Sequence, residues 1–263
     1  MGYSARNDKV GEQLVASFLQ QHLYGGKYGL VKTRKALSGG FISRFEPQKG
    51  EELQTKGVDV TFVLKDEKDN FLKKVAIDEK TAIYYPKISN NSRYRGLPTF
   101  AFELESGYDH TGAGFHKGWL LKDDLLTDYY LVNWVTLEVG NHQFEIPQAK
   151  WHWWKSENIQ KYDLSIDSIE SCLLDRSTLR SFVLKVLNEN GIDSYIYNNP
   201  RNFKEFMNSR QSDSFELGGK VHLKNNNSLP EKPINIVIPK NILIDSAVIH
   251  AFSYASRAPK IYE

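Results

Sequence analysis

The chain has one cysteine, Cys172, among 263 residues. A single cysteine excludes an intramolecular disulfide and a cysteine-built zinc site, and it fits a reducing, cytoplasmic setting. No apolar run approaches the ~20 residues that a bilayer-spanning helix needs. The opening MGYSARNDKVGEQ lacks the apolar segment of a secretory leader, so no membrane partner is expected. An excess of one charge is missing too. Lys plus Arg is 34 against 32 for Asp plus Glu, a formal balance of +2, too small to signal nucleic acid on its own. The seven histidines show no zinc-ligand spacing. GGKVHLK (218–224) lacks the spacing and the Lys-Ser/Thr pair of a P-loop. SGYDHTGAGFHKGW (106–119) does not match the dinucleotide fingerprint and reads as a flexible loop near a site. There is no internal repeat.

What remains is a chain long enough for one large domain or two small ones, with a real core. KVGEQLVASFLQQHL places Val10, Leu14, Phe18 and Leu19 on one helical face, with Asn7 or Asp8 as cap and YGGKYG as the stop. GVDVTFVL, the polar turn KDEKDN and FLKKVAIDEK predict a β-hairpin. Residues 99–105 and 127–139 predict a third and a fourth strand of the same sheet, since consecutive strands usually neighbour one another. Residues 165–191 read as one or two helices ending at Gly191. NFKEFMNSR reads as another helix, and 233–244 as a late strand. LKNNNSLPEKP (223–233) reads as a loop or boundary. The expected class is α/β, a central mixed sheet flanked by helices. Residues 1–160 are expected to form the core, and 161–263 an extension of helices and strands, separate from it or part of it.

Charge sits in an unexpected place. Asp78, Glu79 and Lys80 follow an apolar strand, and Asp59 interrupts another. A charge buried in a sheet is expensive unless something pairs with it. Residues two apart on a strand share a face, so Asp78 and Lys80 point the same way, and Val58, Val60, Phe62 and Leu64 form the apolar face opposite Asp59. Pairing across the turn brings Asp59 and Asp78 within the span of one divalent ion. Both are hard oxygen donors suited to Mg2+ or Mn2+. Lys80 then stands where it can orient or help deprotonate a water, or hold a phosphate oxygen, as phosphodiester cleavage requires.

GVDV followed by AIDEK resembles the PD-(D/E)xK nuclease superfamily, the fold of many restriction endonucleases and junction resolvases. Asp59 matches the first acid, and Asp78 and Lys80 match the second acid and the lysine. Relatives often carry a glutamate on a helix ahead of the hairpin, and Glu12 of KVGEQLVASFL matches it. The resemblance covers about residues 5–140. It departs at Val58, where no proline precedes the aspartate, and at Glu79, where relatives often carry an apolar residue. It implies a restriction-endonuclease-like core over 1–160 and a metal-dependent DNA endonuclease. Asp59, Asp78 and Glu12 would hold the metal, Lys80 would assist, and water would attack phosphorus in line.

Two basic stretches bracket the carboxylates. Residues 27–49 hold six basic residues and one acid, and 81–98 hold three and none. Lys32, Arg34, Lys35 and Arg44 from the first, and Lys87, Arg93 and Arg95 from the second, are the expected backbone contacts. Tyr84, Tyr85 and Tyr94 are available for stacking. Glu103 and Glu105 are further candidates for the metal site. WHWW (151–154) reads as core. Two other readings stay open: a non-catalytic nucleic-acid or protein-binding module on the same fold, and a metal-dependent phosphohydrolase of a small substrate. A homodimer would cut both strands of a duplex, but no self-complementary face is evident.

Overall fold

A computed structural model describes residues 5–48, 51–83, 85–91, 93–107, 114–141, 154–199, 202–210, 213–226 and 233–262. The chain is α/β and divides into two compact units. The first comprises 1–97, 129–173 and 247–263, the second 98–128 and 174–246. Both are discontinuous in sequence, each built from more than one stretch of chain. The second unit is drawn from two stretches that interrupt the first in sequence.

The first unit opens with α1 (Ala5–Leu19), which passes into a π-helical turn, Gln20–Tyr24. Gly25 and Gly26 follow, where the helix was expected to stop. Asn7 and Asp8 lie inside α1 rather than capping it. The buried side of α1 carries Gly11, Val15, Phe18 and Leu19, whereas Leu14 is 41% exposed. Gly11 is on that side for a steric reason. A Cβ there would stand 2.9 Å from the ring of Trp154, which is itself buried and donates Nε1–H to the Ile83 carbonyl at 2.7 Å. The other residues of WHWW lie outside the described residues.

Next come β1 (Ala36–Leu37), β2 (Gly40–Pro47), the short α2 (Glu51–Thr55), β3 (Val60–Lys65), β4 (Phe71–Thr81) and β5 (Lys87–Ile88). The β3–β4 hairpin is the predicted one, antiparallel from Val60↔Ile77 to Leu64↔Lys73. Between these strands Asp66 ties the turn, accepting the Asn70 N–H and side-chain amide. The sheet is completed by β8 (Tyr129–Val139), β9 (Leu164–Asp175), β13 (Ile249–Tyr254) and β14 (Lys260–Tyr262), with α3 (Ser156–Tyr162) between β8 and β9. Its order is β1-β2-β3-β4-β8-β9-β13-β14, with β5 beside β8. The β4–β8 and β5–β8 pairs are parallel, so the sheet is mixed. One face buries Val60, Phe62, Leu64, Val75, Ile77, Leu131 and Ile169 with Val15, Phe18, Leu19 and Tyr24.

The second unit contains β6 (Thr99–Ser106), β7 (His116–Lys117), α4 (Arg176–Glu189), α5 (Ser194–Asn198), α6 (Asn202–Ser209), β10 (Ser214–Gly218), β11 (Val221–Asn225), β12 (Ile234–Pro239) and α7 (Lys240–Asp245). Its sheet runs β10-β11-β12-β6-β7, and the pairs are antiparallel. Residues 99–105 do not extend the hairpin sheet but pair with β12 and β7. Residues 165–175 are a strand, and the helix begins only at Arg176, where Asp175 caps it by accepting the Thr178 N–H at 2.8 Å. The 233–244 stretch is a strand for its first half and α7 thereafter. Of LKNNNSLPEKP, residues 223–225 belong to β11, and 227–232 lie outside the described residues.

Candidate active site

The site grows from the open end of the β3–β4 hairpin. Continuing the register one step beyond Val60↔Ile77 sets Asp59 opposite Asp78. Directly opposed residues of an antiparallel pair lie on one face. The Asp59 N–H bonds the Ile77 carbonyl at 2.9 Å. Its Oδ2 accepts the Glu79 N–H at 2.8 Å, which fixes the carboxylate at the strand end. Asp78 is 2% exposed. Lys80, two residues along, places Nζ 2.7 Å from Asp78 Oδ1.

The electrostatics follow from burial. Desolvation raises the Asp78 pKa, Lys80 works against it, and the charge of Asp59, within hydrogen-bonding reach, raises it again; the net value is about 7. Burial also works against the Lys80 ammonium. The charge and hydrogen bond of Asp78, with the charge of Asp59, outweigh it and hold Lys80 above the usual lysine value. Lys80 is therefore a charged donor at neutral pH.

Glu79 points to the opposite, α1-facing side of β4, beyond Ile77. There the hydroxyl of Tyr24, from the π-helical turn, donates to Glu79 Oε1. Desolvation raises the Glu79 pKa, the Tyr24 bond lowers it, and Asp59 and Asp78 raise it, to about 7. Burial, followed by the Glu79 charge, pushes the Tyr24 hydroxyl well above the usual tyrosine value. Sequence reasoning missed Tyr24. The available signal was the charge at position 79: a glutamate on the core face of a strand needs a donor.

The structure brings together Asp59, Asp78 and Lys80. It does not assemble the expected trio of carboxylates. Among the described residues no group of three or more His, Cys, Asp or Glu side chains is placed to hold a metal ion, and Glu12 lies on the exposed side of α1. Glu103 and Glu105 belong to β6 in the second unit's sheet. A buried carboxylate, Asp78, opposed by the half-buried Asp59, still fits a divalent cation in donor chemistry, because a cation offsets both the burial and the Asp59 charge that lift Asp78.

All seven expected phosphate contacts lie in the first unit. Lys32, Arg34, Arg44, Lys87, Arg93 and Arg95 are exposed, and Lys35 is half-buried. Arg44 is paired with Glu46 at 2.8 Å, and Arg34 reaches the Asp66 carbonyl at 3.3 Å. The Lys87 and Arg95 backbones form an isolated bridge that closes the second basic loop. Tyr94 is 7% exposed and part of the core, so it is not available for stacking; Tyr85 is exposed. Tyr84 lies outside the described residues. No helix among the described residues is long and apolar enough to cross a membrane. Compared with known proteins, the chain matches no family model, no curated protein and no solved structure.

Proposed function

We propose that the chain is a metal-dependent endonuclease hydrolysing phosphodiester bonds of DNA, on a restriction-endonuclease-like core formed by the first unit. The observation that carries this reading is the Lys80–Asp78 pair at 2.7 Å with Asp59 set opposite it across the hairpin. An acid, a second acid and a lysine two residues on, meeting at the end of one hairpin, is the constellation that phosphodiester cleavage uses. Asp59 and Asp78 would hold Mg2+ or Mn2+, which when bound supplies charge to polarise the phosphate and lower the pKa of water. The Glu79 amide holds Asp59 in register with Asp78. Lys80 remains protonated and donates to the charge that builds on the phosphoryl oxygens as water attacks in line and the bond to the leaving oxygen breaks. Lys32, Arg34, Lys87, Arg93 and Arg95, with Lys35 and Arg44, supply backbone contacts. Supercoiled plasmid and a small chromogenic phosphodiester, each with Mg2+ and with EDTA, test the assignment. Mg2+-dependent nicking of the plasmid alone supports it. Hydrolysis of the small ester alone makes the protein a small-substrate phosphohydrolase, and inertness towards both leaves a binding module.

A further inference from the structure

A row of aromatic rings lies at the far edge of the first unit's sheet. His250, Phe252 and Tyr254 alternate along β13, and Tyr262 of β14 pairs with His250. His250 and Tyr262 stack at 5.4 Å between centroids and 28°, and Phe252 and Tyr254 at 6.4 Å and 15°. The intervening Ile249, Ala251 and Ser253 face the core and are buried. Two exposed cations border the row. The Arg257 guanidinium lies 3.8 Å from the Tyr254 centroid, and Lys260 pairs in register with Phe252. Two carboxylates of β9, the strand paired with β13, are engaged: Glu170 with His250 at 3.1 Å, and Asp167 with the Ser168 hydroxyl. Tyr262 is 47% exposed.

The row shares a sheet face with the candidate active site. Ser171 Oγ donates to Asn133 Oδ1 at 2.7 Å, and the Gly140 N–H bonds the Asp163 carbonyl, so β8 and β9 run antiparallel with Asn133 beside Ser171. One position along, Lys80, Val132, Cys172, His250 and Tyr262 fall in one line across β4, β8, β9, β13 and β14. Lys80 and His250 are three strand spacings apart, about 14 Å. Val132 and Cys172 between them are buried, so the ring row is a second contact point and not a continuation of the first.

We propose that this row is a stacking site for unpaired bases of a nucleic-acid strand, with Arg257 and Lys260 on the phosphates. That the ligand is nucleic acid rests on the endonuclease reading. A row of rings bordered by exposed cations sets stacking surface beside positive charge, as a single strand sets bases beside phosphates. A wholly apolar partner would desolvate both cations with no counter-charge. A duplex hides its base faces, so the preference is for single-stranded or unpaired segments.

The test is fluorescence anisotropy of a labelled single-stranded oligonucleotide and its duplex in EDTA, where binding is read without cleavage. The full chain is compared with Tyr262→Ala, Tyr262→Trp and Arg257→Ala, each checked by circular dichroism. Tyr262→Ala should weaken single-strand binding roughly 5- to 150-fold. Tyr262→Trp should retain it, and Arg257→Ala should weaken it and flatten its salt dependence. Unchanged affinity in Tyr262→Ala, or no single-strand binding by the unaltered chain, overturns the proposal. Plasmid nicking in parallel separates the two readings. Nicking with unaltered Tyr262→Ala binding sinks only the stacking site, and Tyr262-dependent binding without nicking sinks only the nuclease.

Discussion

Asp59 Oδ2 accepts the backbone N–H of Glu79 at 2.8 Å, so the first acid is anchored to the residue between the second acid and the lysine. This one bond ties the two halves of the site together across the hairpin. Asp59→Asn keeps an oxygen acceptor at that position and removes the charge. The charge of Asp59 raises the Asp78 pKa, so in Asp59→Asn that pKa should fall below about 7, read by carboxyl 13C NMR titration. Plasmid cleavage should be lost. An unmoved Asp78 titration would mean that the two carboxyls do not interact.

Tyr24 supports Glu79 from the core. Tyr24→Phe leaves a buried carboxylate without that donor, at a cost of about 1–3 kcal/mol. Thermal melts should show the loss at pH 8, where Glu79 is mostly ionised, and a smaller one at pH 5.5, where it is mostly neutral. Equal losses at both pH values would place the effect in packing and not in the hydrogen bond.

The pH dependence of stability has a definite sign. Asp78 and Glu79 are raised from 3.8 and 4.5 to about 7 in the folded chain. The native state therefore binds protons more tightly than the unfolded one. In EDTA these two groups should make stability fall as pH rises from about 4 to about 7 and level off above that. Asp123, lowered to about 2 by Lys117 and Arg180, contributes the opposite trend, lost only as pH falls below 3.8. Denaturant melts from pH 4 to 9 read this directly. Added Mg2+ should recover stability at pH 8, where Asp78 is mostly ionised.

Gly11 sets two effects against each other. Alanine gains roughly 1 kcal/mol of helix propensity over glycine. Its Cβ would meet the Trp154 ring at 2.9 Å, and that ring is held by its bond to Ile83. Overpacking of this kind costs about 1–3 kcal/mol, so Gly11→Ala should be destabilising or neutral in spite of its propensity. A clear rise in melting temperature would show that Trp154 moves freely.

The hairpin and its charged end were legible because strand alternation and the polar turn are local signals. So was α1, although its buried stripe is shifted: Gly11 and Val15 face inward where Leu14 was expected, since Trp154 needs a residue without a side chain. Residues 165–175 read as helix because Ile166, Ile169 and Leu173 recur at helical intervals. A central strand buried on both faces carries the same spacing. The placement of 99–105 failed because the chain leaves the first unit at Pro98, a long-range choice with no local mark. Glu12 was read from a motif position, and the structure instead turns Glu79 inward onto Tyr24.

The most direct measurement is the nicking rate of supercoiled plasmid in Mg2+ by the unaltered chain, Asp78→Asn and Lys80→Ala, with matched circular dichroism spectra. Nicking by the unaltered chain is expected, with a loss of at least about 100-fold in both variants, the scale of removing one preorganised transition-state donor. Undiminished nicking by both folded variants would contradict the assignment.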